Sequence, residues 1–119
     1  MKKLLTLIAL VGITHFSAQA QAMLTEKIAT PELLCEICKT KVETYLKRID
    51  GVRVVTINYR KGETTVKFLK DRTNIEVIKT AIANNGFDAG DVPANEDSYK
   101  RLPLTCKKAE DGGGHPKKK

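Results

Sequence analysis

The feature that most constrains this chain is a hydrophobic period that switches twice, from the helical 3.6 to the strand-like 2 and back again. Between Cys38 and Asp50 the residues Val42, Tyr45, Leu46 and Ile49 fall at i, i+3, i+4 and i+7, which is one face of a helix. Gly51 supplies its stop. From Val52 to Tyr59 the residues turn β-branched, and Val55, Ile57 and Tyr59 alternate as a half-buried strand requires. Arg60-Lys61-Gly62-Glu63 is a polar turn, after which Thr64, Val66 and Phe68 resume the alternation with Thr65 and Lys67 facing the other way. These two runs predict a β-hairpin. Thr73 and Glu76 then have capping-box spacing, Ile75, Ile78 and Ile82 with Ala81 form the inner stripe of a second helix, and Asn84-Asn85-Gly86 closes it.

The flanks extend this pattern. Met23 to Thr30, with Leu24 and Ile28 among polar residues, predicts a first strand that Pro31 ends, and Pro31 to Glu36 is a loop. Phe87 to Val92 offers a short last strand, weakened by Gly90 and Asp91. The order β-α-β-β-α-β over residues 23–92 predicts an α+β, ferredoxin-like sandwich, an antiparallel sheet with two helices on one face. No internal repeat is visible.

The two ends differ from this core. Lys2 and Lys3, the apolar run Leu4 to Thr14 and the small residues Ala18-Gln19-Ala20 form the three regions of a cleavable secretory signal over residues 1–20. The run is shorter than the ~20 apolar residues that span a bilayer. The expectation is therefore export, to a periplasm or the exterior, with no membrane insertion after signal removal. Past Val92, residues 93–110 form an extension in which Tyr99, Leu102 and Leu104 provide apolar grip on the domain. Residues 111–119 hold three glycines, a proline and three terminal lysines and are expected to be a disordered tail. The formal net charge of +7 falls by two with Lys2 and Lys3, and such a surplus does not indicate nucleic-acid binding. The hairpin strand 61–68 also lacks the paired aromatics with which sheets of this shape bind RNA. A monomer is expected.

The chemistry lies in the cysteines. Cys35-Glu36-Ile37-Cys38 puts two thiols three positions apart where a loop enters a helix, so both sulfurs can turn to one point. Partial positive charge at the helix N-terminus, with Lys39 and Lys41 nearby, favours the thiolate, the form that ligates metals. Thiolates select soft ions such as Cu(I), Hg(II) or Zn(II). The same pair also suits a thiol–disulfide redox site or half of a structural zinc site, and a structural zinc site wants four ligands. The remaining candidates are Cys106, as a third ligand carried back by the extension, and His115 in the glycine-rich tail. Three cysteines cannot all pair within one chain, and an exported protein meets oxidising conditions.

A CxxC on the first β–α loop, within Leu33-Leu34-Cys35-Glu36-Ile37-Cys38, together with Gly51-Val52 after the first helix and Gly86-Phe87 before the last strand, resembles the heavy-metal-associated domain family. That family includes small copper chaperones, N-terminal domains of metal-transporting P-type ATPases and periplasmic mercury-binding proteins. The resemblance covers residues 23–92. It implies that Cys35 and Cys38 bind a soft ion, Cu(I) first and Hg(II) or Zn(II) otherwise. They would pass it by ligand exchange to a metal-transporting membrane protein or another carrier, without enzymatic catalysis. Leu33 stands where the family usually has Met, Phe87 where bacterial carriers often have Tyr, and the extension from Pro93 lies outside the usual domain. The redox reading fits this pattern less well, because redox CxxC sites often carry Trp before the first Cys and Gly-Pro between the two.

Overall fold

A computed structural model describes residues 22–113. The predicted signal segment 1–20 and His115 lie outside the described residues. Strand β1 (Met23–Ala29), helix α1 (Glu36–Leu46), strands β2 (Val52–Asn58) and β3 (Glu63–Leu69) and helix α2 (Ile75–Asn84) follow in the predicted order. A short helix α3 (Glu96–Lys100) and two 3-10 turns, Leu104–Cys106 and Ala109–Asp111, complete the described chain. No helix among the described residues is long and apolar enough to cross a membrane.

The sheet is antiparallel with order β1-β3-β2. Its alternation decides which side chains face the helices. Thr64, Val66 and Phe68 on β3 are buried, opposite Ile57 and Val55 on β2 and Ile28 on β1. A register shift between Val52 and Val54 reverses the parity, so that Val52 and Val55 both point inward despite their odd spacing. From the helices come Val42 and Leu46 of α1 and Ile78, Ala81 and Ile82 of α2, all in one continuous cluster with the sheet residues. Burying each of the larger side chains contributes about 1.5–3 kcal/mol. Inside this cluster the hydroxyls of Thr30 and Thr64 meet at 2.8 Å, so the loop that leaves β1 is tied to β3 without an unpaired polar group. Of the predicted α1 stripe, Tyr45 is exposed and Ile49 is only partly buried.

Three expectations are corrected. The fourth strand over Phe87 to Val92 reduces to a single bridge between Ala89 and Val92. Gly90 adopts φ +59°, and Ala89 and Val92 spend their amides on each other (2.9 and 3.0 Å), so only the Gly90 amide reaches β1, at Ala29 O (2.8 Å). The described sheet therefore has three strands, and β1 is an edge strand with Ile28 as its only buried residue. The second helix is capped by Asn74, whose side chain accepts from the Val77 amide at 3.0 Å, and not by Thr73, which is buried with its hydroxyl unpartnered. Residues 111–113, placed in the tail by composition, instead close the last 3-10 turn, with Gly113 N donating to Lys108 O at 2.9 Å.

The extension folds back as a strap. Asn95 N donates to Ala83 O (2.9 Å) and Ala94 N to Asp88 Oδ1 (2.8 Å), which fastens its start to the end of α2. Leu102 is buried against Gly86, whose φ of +97° and missing side chain make room for it. A Cβ at Gly86 would lie 3.0 Å from Leu102 Cγ and Cδ1. Beyond this, the Tyr99 hydroxyl donates to Asp111 Oδ2 (2.5 Å) and accepts from the Lys108 amide (2.9 Å). The strap thus closes on itself around the Leu104–Cys106 turn.

Candidate metal centre

Cys35 and Cys38 sit where the loop from β1 becomes α1. Cys35 is the N-cap, extended at φ −142° and ψ 166°, and its carbonyl accepts the Lys39 amide at 3.0 Å. Its side chain makes no cap bond, which leaves the sulfur free to face inward. Cys38 lies one turn before Val42 and two before Leu46, and so belongs to the buried stripe of α1. Leu33, two residues before Cys35, is fully buried and belongs to the same cluster. Phe87 is also fully buried, part of the same cluster as the three cysteines.

The strap delivers Cys106 to this place. Its Sγ and those of Cys35 and Cys38 all lie within 4.8 Å of one another, the one such convergence of three metal-donor side chains among the described residues. Cys38 and Cys106 are joined as a disulfide with a Cα–Cα distance of 5.7 Å, and Cys35 is the remaining free thiol. The Cys35 sulfur approaches Thr105 O at 4.0 Å, a contact with the same turn of the strap. All three cysteines are buried, Cys35 at 7%, Cys38 at 0% and Cys106 at 2% exposure. Between the two loop cysteines Ile37 is turned outward and exposed. Lys39 and Lys41 follow Cys38, and Lys107 and Lys108 follow Cys106, so basic residues flank the cluster on both segments.

The sequence placed Cys35 and Cys38 together, and they are together. It left the position of Cys106 open, and the structure brings that residue to the pair. It missed that Cys38 pairs with Cys106 and not with Cys35. One signal was available: Cys38 stands four residues before Val42, on the inner face of the helix, whereas Cys35 precedes the helix altogether.

A β-α-β-β-α body with a paired-cysteine loop at the start of its first helix is the architecture of a metal-binding domain. The heavy-metal-associated domain family matches residues 27–88, more than half of the chain, and the chain belongs to that family. It is similar to the copper chaperone CopZ of Staphylococcus saprophyticus, 35% identical over 66 residues that make up 56% of this chain and 97% of that protein. It is also similar to a part of the copper-exporting P-type ATPase of Staphylococcus aureus, 26% identical over 80 residues, 67% of this chain but only 10% of that protein. Among solved structures, a CopZ metallochaperone superposes with a TM-score of 0.54 at 29% identity, covering 56% of this chain and 98% of its own. Oxidized MerP from Ralstonia metallidurans CH34 shares the fold, with a TM-score of 0.55 at 22% identity over 58% of this chain and 96% of its own. The family match ends at residue 88, so the strap and Cys106 lie outside it.

Proposed function

We propose that this chain is an exported, monomeric carrier of a soft metal ion, Cu(I) before Hg(II) or Zn(II), which Cys35 and Cys38 hold as thiolates. The ion passes by ligand exchange: a thiolate of the partner adds, and one of the carrier's own leaves. The partner is a metal-transporting membrane protein or another carrier, and no bond of a substrate is made or broken, so no catalysis is involved. The observation that carries this reading is the pair of sulfurs converging at the N-terminus of α1 in a heavy-metal-associated domain. The likeness to a copper chaperone supports Cu(I) as the cargo. Zinc is less suited, since its closed sites take four ligands and the cluster offers three sulfurs. The secretory pattern of residues 1–20 supports export.

The test is anaerobic competition for Cu(I) between the reduced, signal-free protein and a chromogenic chelator. The expected result is one tightly held ion, lost in the Cys35→Ser/Cys38→Ser variant; a wild type that competes no better than that variant rules copper carriage out. A second reading, a thiol–disulfide protein, draws on the Cys38–Cys106 disulfide. It predicts catalytic turnover of a disulfide substrate by the reduced protein, where the carrier reading predicts none.

A further inference from the structure

We propose that Cys106 completes a three-thiolate site with Cys35 and Cys38 for a soft d10 ion, Cu(I) or Hg(II), and that the Cys38–Cys106 disulfide is the oxidised, metal-refusing form of that same site. This rests on the carrier reading and adds to it a third ligand and a condition for loading.

The sulfur positions already suit it. Three thiolates each about 2.3 Å from one ion stand about 4.0 Å from one another. The three sulfurs lie within 4.8 Å, so opening the disulfide asks for side-chain adjustment and not for refolding. The placement of Cys106 does not depend on the disulfide alone. Leu102 is buried four residues before it, and the Tyr99 hydroxyl holds the Lys108 amide two residues after it. The turn that carries Cys106 also closes on itself, with Cys106 N donating to Pro103 O at 2.8 Å. These anchors keep the thiol at the CxxC loop when the bond is cut. Three thiolates around a monovalent ion carry excess negative charge, and the N-terminus of α1, where Cys35 is the N-cap, supplies partial charge of the opposite sign. Burial of all three sulfurs keeps water from the ion and makes this a holding site, tighter than an open pair of cysteines.

The redox step needs a partner, a dithiol reductant. One of its thiolates attacks the Cys106 sulfur and expels Cys38 as a thiolate; its second thiol then attacks the mixed disulfide and releases Cys106. Two electrons and two protons reach Cys38 and Cys106, and the reductant leaves as its own disulfide. Metal entry displaces the thiol protons to solvent. While Cys38 and Cys106 remain bonded, Cys35 alone is a free thiol, and one thiol does not hold the ion.

The experiment is X-ray absorption at the copper edge of the full chain, reduced with a phosphine, desalted and loaded anaerobically with one equivalent of Cu(I), beside chelator competition on wild type and Cys106→Ser. The proposal expects three sulfur neighbours in wild type and two in Cys106→Ser. It expects affinity to fall by roughly tenfold or more in that variant, since even the loss of an outer-shell partner is worth that much. Unreduced wild type should leave the Cu(I) with the chelator. Two sulfurs in wild type, with affinity unchanged in Cys106→Ser, would remove Cys106 from the site and leave the two-cysteine carrier standing. Equal Cu(I) binding before and after reduction would overturn the redox condition. No binding by reduced wild type would overturn the carrier reading itself. The wild-type sulfur count decides the matter even if Cys106→Ser does not fold.

Discussion

The body from β1 to α2 and the strap that follows it are held by different physics. In the body Val42, Leu46, Val66, Phe68, Ile78 and Ile82 are all essentially inaccessible, contributed at regular spacing by α1, β3 and α2, so each of these elements is fixed by several neighbours. The strap fully buries only Leu102 and the disulfide-bonded Cys106; α3 adds the partly buried Tyr99, and the rest is fastened by hydrogen bonds. A periodic face generates its own position, while a strap takes its position from a few points on a surface already made. The body is thus what this chain shares with its family, and the strap is what it adds at the cysteine loop.

This contrast can be broken from either side. The largest effect belongs to Phe68→Ala, which removes a fully buried ring and should cost about 3–5 kcal/mol. Urea unfolding should show body and strap lost together, because the strap has no core of its own. Next is reduction of Cys38–Cys106, which spans 68 positions of sequence and should lower stability by about 2–4 kcal/mol. Amide hydrogen exchange should then quicken between Tyr99 and Cys106 while Val66 and Phe68 stay protected, and Cu(I) should restore the lost protection. Gly86→Ala comes third, at about 1–3 kcal/mol for a side chain forced to φ +97°. It should also drive Leu102 outward, so exchange at Leu102 should rise more than at Ile82. If Gly86→Ala leaves strap exchange unchanged, Leu102 is not the anchor argued for it.

The smallest effect concerns Tyr99. Its hydroxyl donates to Asp111, and that carboxylate holds the phenol above the ordinary tyrosine range. A raised folded-state pKa means the contact is fully present below the ordinary tyrosine value and is lost only as pH rises through the raised one. Tyrosinate absorbance should therefore show a late step above the ordinary tyrosine range, and Tyr99→Phe should abolish it.

The same difference explains what was legible in the sequence. Both helices and the hairpin are written as periodicities, and a period survives small errors at its ends, as the shift of the α2 cap from Thr73 to Asn74 illustrates. The CxxC was legible because its spacing and its place before a helix are both local. The last strand was overread because the apolar ends of Phe87 to Val92 were set against the warning of Gly90 and Asp91, and it is Gly90 that turns the chain there. The path of the strap was not legible: Tyr99, Leu102 and Cys106 have helical spacing, yet the chain there breaks into α3 and a 3-10 turn, and Leu102 and Cys106 find their partners, Gly86 and Cys38, across the fold. Cys106 meets Cys38 across 68 positions, a distance over which no local pattern operates. Knowing that the body is self-made and the strap is not also says where change is tolerated: strap substitutions should alter metal handling before they alter the fold.

The most direct test of the account is to map the cysteines of the native, unreduced protein by alkylation under acid quench, proteolysis and mass spectrometry. The expected result is a linked peptide pair containing Cys38 and Cys106, with the alkyl label on Cys35 alone. A Cys35–Cys38 bond with the label on Cys106 would contradict it, because the oxidised form would then be closed within the CxxC loop and not through the strap.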